Sequence, residues 1–181
     1  MSSTLIRALK PNVTQEQALR AFSGAGPSSM YWRLRNGPLS RIAPAYVPYF
    51  LFSVKCAGIP PRLFAIDAVN GSLDLFEFPR IPEEGQFQAM DGRNRLAPAL
   101  SEAQAVSLLR EKVLRVLFQQ GFFKLRDARL EITPVPCELH LPYWLGFYER
   151  HGSVRCRVMD AVRRRMEGAK ACAFFEQWLA A

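Results

Sequence analysis

Cysteine and histidine are the residues in this chain best suited to covalent or metal chemistry, and four of them lie close together in sequence. Cys137 and His140 form a Cys-x-x-His pair, and His151 and Cys156 are nearby in sequence. Thiolate and imidazole groups at such spacings bind zinc, and a thiol beside an imidazole base can act as a nucleophile. Two hypotheses result: a zinc site formed by these four residues, and a thiol-dependent enzyme that uses Cys137, His140 and Cys156.

Strand geometry weakens both hypotheses. Residues three apart on an extended strand point to opposite faces, so Cys137 and His140 can share a ligand only if the chain bends between them. Pro134 and Pro136 are the nearby residues that could supply a bend. Because no glycine-rich turn flanks any cysteine, we favour a protein that is not an enzyme, needs no cofactor and keeps its cysteines as small buried thiols.

Two aspartates, Asp67 and Asp160, occupy matching positions in the sequence, and each is followed by Ala-Val. A pair of carboxylates can perform acid–base catalysis when both face one substrate. An aspartate at the end of a strand more commonly accepts hydrogen bonds from the amides of the following turn. We therefore predict that both residues cap turns.

The most distinctive motif is a pair of adjacent aromatic residues, which occurs once in each half of the chain. The pairs are Tyr49 with Phe50, and Tyr143 with Trp144. Neighbouring side chains on a strand point to opposite faces, so one ring of each pair faces the core and the other faces outward. We predict that the outward rings line a groove between two repeats, which binds a protein segment or a small apolar ligand. The alternative is that a second layer covers them.

Arginine predominates among the basic residues, and the formal net charge is +8. The densest basic cluster consists of Arg155, Arg157, Arg163, Arg164 and Arg165. Arginines beside aromatic rings can bind single-stranded nucleic acid, so this cluster carries an alternative function. Since charges are spread along the whole chain, we favour an ordinary solvated surface.

The arrangement of these motifs indicates an internal duplication. Four blocks recur in the same order: Thr14–Ala18 with Ser101–Ala105, Trp32–Arg35 with Phe123–Arg126, Val47–Leu51 with Leu141–Leu145, and Ala65–Val69 with Val158–Val162. Each block is short, but their shared order favours duplication over chance.

Each block predicts a structural element. Thr14 and Ser101 have Gln17 and Gln104 three residues on, which is the pattern of a helix capping box. Alternation predicts strands that include residues 30–35 and 122–125, and apolar spacing predicts a C-terminal helix over 167–181. The sequence thus predicts an α+β protein with two repeats, residues 1–80 and 101–181, joined by a loop over 81–100. Each repeat is a helix packed on a short antiparallel meander.

The helix, the aromatic strand and the Asp67–Gly71 turn together resemble the PepSY family, and more broadly the cystatin-like proteins. The second copy departs from the family pattern, because Arg163 and Arg164 replace Asn70 and Gly71. The resemblance implies a helix across a curved antiparallel sheet and a binding or inhibitory role.

The longest apolar stretches, such as Tyr46–Val54, are about half the length that a membrane helix needs. The N-terminal residues also lack the apolar run of a signal peptide. We therefore expect no membrane span and a cytoplasmic location. The sequence predicts a binding or regulatory module, but it leaves the ligand and the oligomeric state open.

Overall fold

A computed structural model describes residues 5–24, 26–56, 58–119 and 129–180. Its helices are α1 (Gln15–Ser23), α2 (Pro27–Asn36), α3 (Glu102–Gln119) and α4 (Ala169–Ala180). Its strands are β1 (Leu5–Leu9), β2 (Leu39–Cys56), β3 (Ile59–Asp67), β4 (Phe76–Phe78), β5 (Phe87–Asp91), β6 (Glu131–Arg150), β7 (Ser153–Asp160) and β8 (Arg165–Met166). The protein is therefore α+β, as its sequence predicts. No helix in the described ranges is long and apolar enough to cross a membrane.

Hydrogen bonds connect the strands in the order β4–β3–β2–β6–β1–β5, and β7 pairs with β6 and with β8. The β2–β3, β3–β4, β6–β7 and β7–β8 pairs are antiparallel. β1 instead runs parallel to β6, with Ala8 opposite His140. The β6–β7 hairpin turns through His151 and Gly152, both of which have positive φ angles. These angles are typical of tight hairpin turns.

Both predicted capping boxes are confirmed. Thr14 Oγ1 accepts the Gln17 N–H at 3.3 Å, and Gln17 Oε1 accepts the Thr14 N–H at 3.0 Å. The same reciprocal pair joins Ser101 and Gln104 at the start of α3, at 3.3 and 2.8 Å. These bonds satisfy amides that the first helical turn leaves without partners. The predicted C-terminal helix is α4.

The predicted strand over residues 30–35 is wrong, because this segment belongs to α2. Pro27 stands in the first turn of that helix, where its missing N–H costs nothing. Gly37 follows with φ of +92°, and its N–H donates to the Arg33 carbonyl to close the last turn. The predicted strand at 122–125 lies outside the described residues.

β2 and β6 are long strands of 18 and 20 residues, and β6 continues through Pro134 and Pro136 without ending. A joint Cys137–His140 site needs a bend in the chain, and these prolines do not interrupt the strand to supply one. β4, by contrast, has only three residues. The predicted linking loop over 81–100 contains β5.

The chain forms two compact units. The first consists of Met1–Val47, Gln88–Leu96 and His140–Ala181, and the second of Pro48–Phe87 and Ala97–Leu139. Each unit takes segments from both predicted repeats, since β2 and β6 each contribute one part to each unit. The predicted repeats, residues 1–80 and 101–181, therefore do not coincide with the two units.

The core of the second unit forms where α3 packs on β2 and β3. Its fully or nearly buried side chains include Phe52, Val54, Phe64, Ile66, Ala105, Leu109, Val113 and Leu117. The helical members recur every three or four residues, so one face of α3 is apolar and covers the sheet.

The corresponding core of the first unit forms where α1 packs on β6 and β7. Phe22 lies over Gly146, and a β-carbon at that glycine would meet the Phe22 ring at 2.8 Å. The Tyr148 hydroxyl donates to the Phe22 carbonyl at 2.8 Å, and Met159 and Ala161 complete the cluster. The missing side chain at Gly146 is therefore what lets α1 approach the sheet.

Contacts at the matching sequence blocks recur in the two units. Tyr49 is paired with Asp67 in the second unit, and Tyr143 is paired with Asp160 in the first. In each case the alanine after the aspartate donates its N–H to the proline before the tyrosine. These bonds are Ala68 to Pro48 at 2.8 Å and Ala161 to Pro142 at 3.1 Å.

The segments that lead into α1 and α3 make a further matching contact. Asn12 donates its N–H to the Ala161 carbonyl at 2.8 Å, and Ala99 donates to the Ala68 carbonyl at 2.8 Å. Each lead-in segment therefore bonds to the hairpin of the other half of the chain. Likewise, α1 covers β7 and α3 covers β3, whereas the sequence predicts that each helix covers its own meander.

Candidate functional site

Two adjoining clefts lie on the first unit, between α2, the β6–β7 turn and α4. The larger, called here the aromatic cleft, has a volume of about 380 Å³, and its lining includes Tyr31, Trp32, Arg35, Asn36, Arg155 and Glu176. The smaller, called the basic cleft, has a volume of about 350 Å³ and is lined by Arg35, Asn36, Arg150, His151, Ser153 and Arg155. Because Arg35, Asn36 and Arg155 line both, a single ligand can occupy the two clefts together.

The C-terminal end of α2 is held against the end of β6. Arg150 Nη1 donates to the carbonyls of Leu34 and Arg35, at 2.6 and 3.2 Å. A cation is favourable at this position because the last carbonyls of a helix carry partial negative charge. Gly37 lies so close that a β-carbon there would meet the Glu149 carbonyl oxygen at 2.1 Å. This glycine allows the close approach that brings Arg35 beside Arg150.

A buried arginine supports the other end of α2. Arg157 is 5% exposed, and its guanidinium donates to the hydroxyls of Ser28 and Ser29 at 3.2 and 3.3 Å. Its Cζ lies 5.5 Å from the centre of the Trp32 ring, which also packs 5.9 Å from Tyr148. A guanidinium over an aromatic face is attracted by the ring quadrupole. Trp32, which lines the aromatic cleft, is therefore held in place by its contacts with Arg157 and Tyr148.

The clefts have a net positive charge. Arg35, Arg150 and Arg155 contribute three positive charges, and Glu176 contributes one negative charge, which leaves +2 with His151 neutral. Glu176 lies 3.4 Å from Arg155 and also accepts the Cys156 N–H at 3.2 Å. Arg155 and Glu176 both remain partly exposed to solvent, so their ion pair is weak and open to competition from an incoming anion.

The four aromatic residues predicted to line a groove are placed within the two units. In the second unit Tyr49 is buried, and Phe50 is half-buried against the α3 core. In the first unit Tyr143 is buried 5.4 Å from Phe175. Trp144 is half-buried, and its Nε1–H donates to the Val13 carbonyl at 3.0 Å. Each ring thus has packing partners in its own unit, and the groove stays a prediction.

Only one of the five arginines in the predicted basic cluster lines the clefts, namely Arg155. Arg157 is buried, and Arg163 pairs with Asp160 at 2.6 Å. Arg165 pairs with Glu167 at 2.9 Å, and Arg164 is exposed in a turn with φ of +57°. Arg157, Arg163 and Arg165 therefore have partners within the fold.

The four residues of the predicted Cys–His set differ in burial and in hydrogen-bond partners. His140 is buried with Nδ1 3.0 Å from the Arg7 carbonyl, His151 is exposed at the hairpin turn, and Cys137 is half-buried. Among the residues that the structure describes, no three His, Cys, Asp or Glu side chains are grouped to hold a metal ion. Cys156 is buried, and burial, with smaller effects of Cys172 and Glu176, strongly raises the pKa of its thiol. Cys156 is thus held as a thiol, which is a poor nucleophile and metal ligand.

The two matching aspartates act as turn caps, as their positions predict. Asp67 is completely buried and accepts the N–H groups of Val69, Asn70, Gly71 and Leu73 at 2.9–3.3 Å. Asp160 accepts those of Val162 and Arg163, both at 2.8 Å, and pairs with the Arg163 side chain. These hydrogen bonds satisfy the acceptors of both buried carboxylates, as turn capping requires.

Sequence reasoning missed the residues that define the clefts, because it predicted residues 30–35 as a strand. The sequence also fits a helix here, since Pro27, Met30, Tyr31 and Leu34 have the spacing of one helix face. Comparison of the chain with protein-family models, with curated proteins and with solved structures finds no match.

Proposed function

We propose that the protein is a non-catalytic binding module that takes an anionic ligand in the aromatic and basic clefts of the first unit. The observation that carries this proposal is the shared wall of the clefts, where Arg35 and Arg155 come from different elements and flank one space. Two arginines that converge on a concave surface form an anion site with a defined geometry.

The lining indicates which ligand chemistry fits. A guanidinium group binds carboxylate or phosphate oxygens through paired N–H groups, and three such groups surround the basic cleft. Tyr31 and Trp32 offer ring surfaces to an apolar or planar group in the aromatic cleft. The proposed ligand therefore carries an acidic group next to an apolar or aromatic group.

Binding of the ligand exchanges one ion pair for another, because the ligand anion takes the place of Glu176 beside Arg155. An exposed ion pair contributes about 0–1 kcal/mol, so a ligand anion can replace Glu176 beside Arg155 at small cost. Glu176 keeps its hydrogen bond from the Cys156 N–H, so the carboxylate retains a partner after the exchange.

This proposal keeps the binding role that the sequence predicts, and it moves the site from the aromatic strand pairs to α2 and the β6–β7 turn. The raised thiol pKa of Cys156 and the saturated carboxylates of Asp67 and Asp160 support a role without catalysis. A PepSY-like or cystatin-like duplication remains part of the proposal, and the matching contacts of the two units support the duplication alone.

The test is calorimetric titration with two small probes, phenyl phosphate and phenylacetate, which separate phosphate from carboxylate as the recognised group. We expect at least one probe to bind the wild-type protein and to lose binding in Arg35→Gln and Arg155→Gln. The matched control is Arg115→Gln, which removes one positive charge from an exposed position on α3. Equal weakening in all three variants would show a general charge effect and would contradict the proposal.

A further inference from the structure

The outer face of α2 carries a row of exposed apolar side chains. Pro27, Met30, Tyr31 and Leu34 fall on one face because they are separated by three or four residues. Met30, Tyr31 and Leu34 are 57%, 59% and 68% exposed, whereas Ser29 is the one buried residue of the helix. We call these four residues the α2 stripe. Surface leucines occur singly in most proteins, but a continuous row on one helix marks an interaction surface.

The α2 stripe is continuous with the proposed anion site. Tyr31 belongs to both the stripe and the lining of the aromatic cleft, and its hydroxyl accepts a hydrogen bond from Arg35 at 3.2 Å. Arg35 and Arg155 line the aromatic cleft together with Tyr31, and Arg150 lines the adjoining basic cleft. An apolar centre beside arginines, with Tyr at the junction, is the composition of protein-binding hot spots.

We propose that the α2 stripe and the two clefts together dock an acidic amphipathic helix of a partner protein. This inference rests on the proposed function, since it assigns the anionic ligand to partner carboxylates. The partner's apolar side chains lie along the stripe, which covers about 10 Å at about 1.5 Å per residue. Its Asp or Glu side chains face Arg35, Arg150 and Arg155. Side-chain rows spaced by four residues on two helices interlock, so a helix fits this face.

Charge decides between this occupant and a second copy of the chain. In a twofold contact the same patch lies on both sides, so two surfaces that each carry a net charge of +2 would face each other. Like charges across an interface oppose association, whereas an acidic partner is attracted by them and by the net charge of +8. Met30 and Leu34 also favour a protein over single-stranded nucleic acid, because aliphatic side chains neither stack with bases nor bind phosphate.

The test uses synthetic helical peptides with Leu at the i, i+4 and i+7 positions and Glu on the flanking positions, with a scrambled peptide as the control. The double variant Met30→Ser/Leu34→Ser removes the stripe, and Leu19→Ser changes an exposed leucine on α1 of the same unit. We expect the stripe variant to weaken peptide binding by more than about tenfold and Leu19→Ser to leave it unchanged. Phenyl phosphate or phenylacetate should bind the stripe variant as they bind the wild type.

The remaining outcomes distinguish failure of the docking inference from failure of the proposed function. Failure of every acidic peptide, or equal binding to the stripe variant, overturns the docking inference while the small probes still report the proposed function. Failure of both small probes overturns the proposed function as well. A wild-type dimer in light scattering that the stripe variant abolishes would assign the stripe to a second copy, and competition by oligouridine would assign the clefts to nucleic acid. Either result contradicts the acidic helix.

Discussion

Replacement of Asp67 gives the sharpest test of how the second unit is held together. The carboxylate is completely buried, with Oδ1 accepting three backbone N–H groups and Oδ2 accepting only that of Leu73. In Asp67→Asn the amide oxygen can replace Oδ1, but its NH₂ group then faces the Leu73 N–H. Two donors cannot bond to each other, so one buried amide loses its partner.

The magnitude follows from the number of bonds lost. A hydrogen bond to a charged acceptor contributes about 1.5–3 kcal/mol, so Asp67→Asn should lower the free energy of unfolding by about 2 kcal/mol. Asp67→Ala removes the acceptor for all four amides, of which those of Gly71 and Leu73 are buried. Its cost should reach at least about 4 kcal/mol.

Urea unfolding followed by circular dichroism measures these losses, and amide hydrogen exchange assigns them to residues. In Asp67→Asn the Leu73 amide should lose protection while the Gly71 amide keeps it, and in Asp67→Ala both should lose it. Asn70→Ala is the control, since its side chain accepts one bond, from Ser72, at an exposed position. Retained protection of Leu73 in Asp67→Asn would refute this account of the turn.

Two further predictions concern the first unit. Gly146→Ala should cost about 1–3 kcal/mol in a thermal melt because the new β-carbon collides with the Phe22 ring, whereas Gly168→Ala, where the β-carbon meets nothing within 4 Å, should cost far less. Burial raises the pKa of Cys156, so the folded state keeps its proton when the unfolded thiol ionises. Stability should therefore be full below about pH 9 and fall above it by about 1.4 kcal/mol per pH unit, and Cys156→Ala should remove this part of the slope in pH-dependent urea unfolding. Equal slopes would contradict the burial of this thiol.

Local features of the fold could be predicted from the sequence where one short segment determines the structure. The capping boxes at Thr14 and Ser101, the turn caps at Asp67 and Asp160, and helix α4 depend on residues within a few positions of each other. Such signals survive in any tertiary context, so the structure confirms them.

Strand length and helix placement could not be predicted in this way. Pro134 and Pro136 are candidates for a bend in the sequence, but β2 and β6 run through prolines, because the fixed φ of proline is compatible with an extended chain. With these long strands, the helix from one half of the chain packs on the hairpin from the other half. No local sequence pattern indicates this arrangement. For α2, a window of six residues fits a strand and a helix equally well, and only the longer spacing from Pro27 to Leu34 distinguishes them.

The candidate site could not be predicted from the sequence for a related reason. Its walls come from residues 31–36 on α2, 150–155 around the β6–β7 turn and Glu176 on α4. Of these, only Arg155 and His151 belong to the candidate sites that the sequence predicts, and the two residues belong to different sites. The clefts exist because Gly37 and the His151–Gly152 turn bring α2 and the hairpin together.

The central claim is that Arg35 and Arg155 form one anion site, and amide chemical shifts during titration with phenyl phosphate and phenylacetate test it most directly. We expect the largest changes at Arg35, Asn36 and Arg155, with saturation at a common affinity, and none of these changes in Arg35→Gln/Arg155→Gln. Shifts that centre on Tyr49 and Phe50, or none at millimolar probe, would contradict the claim.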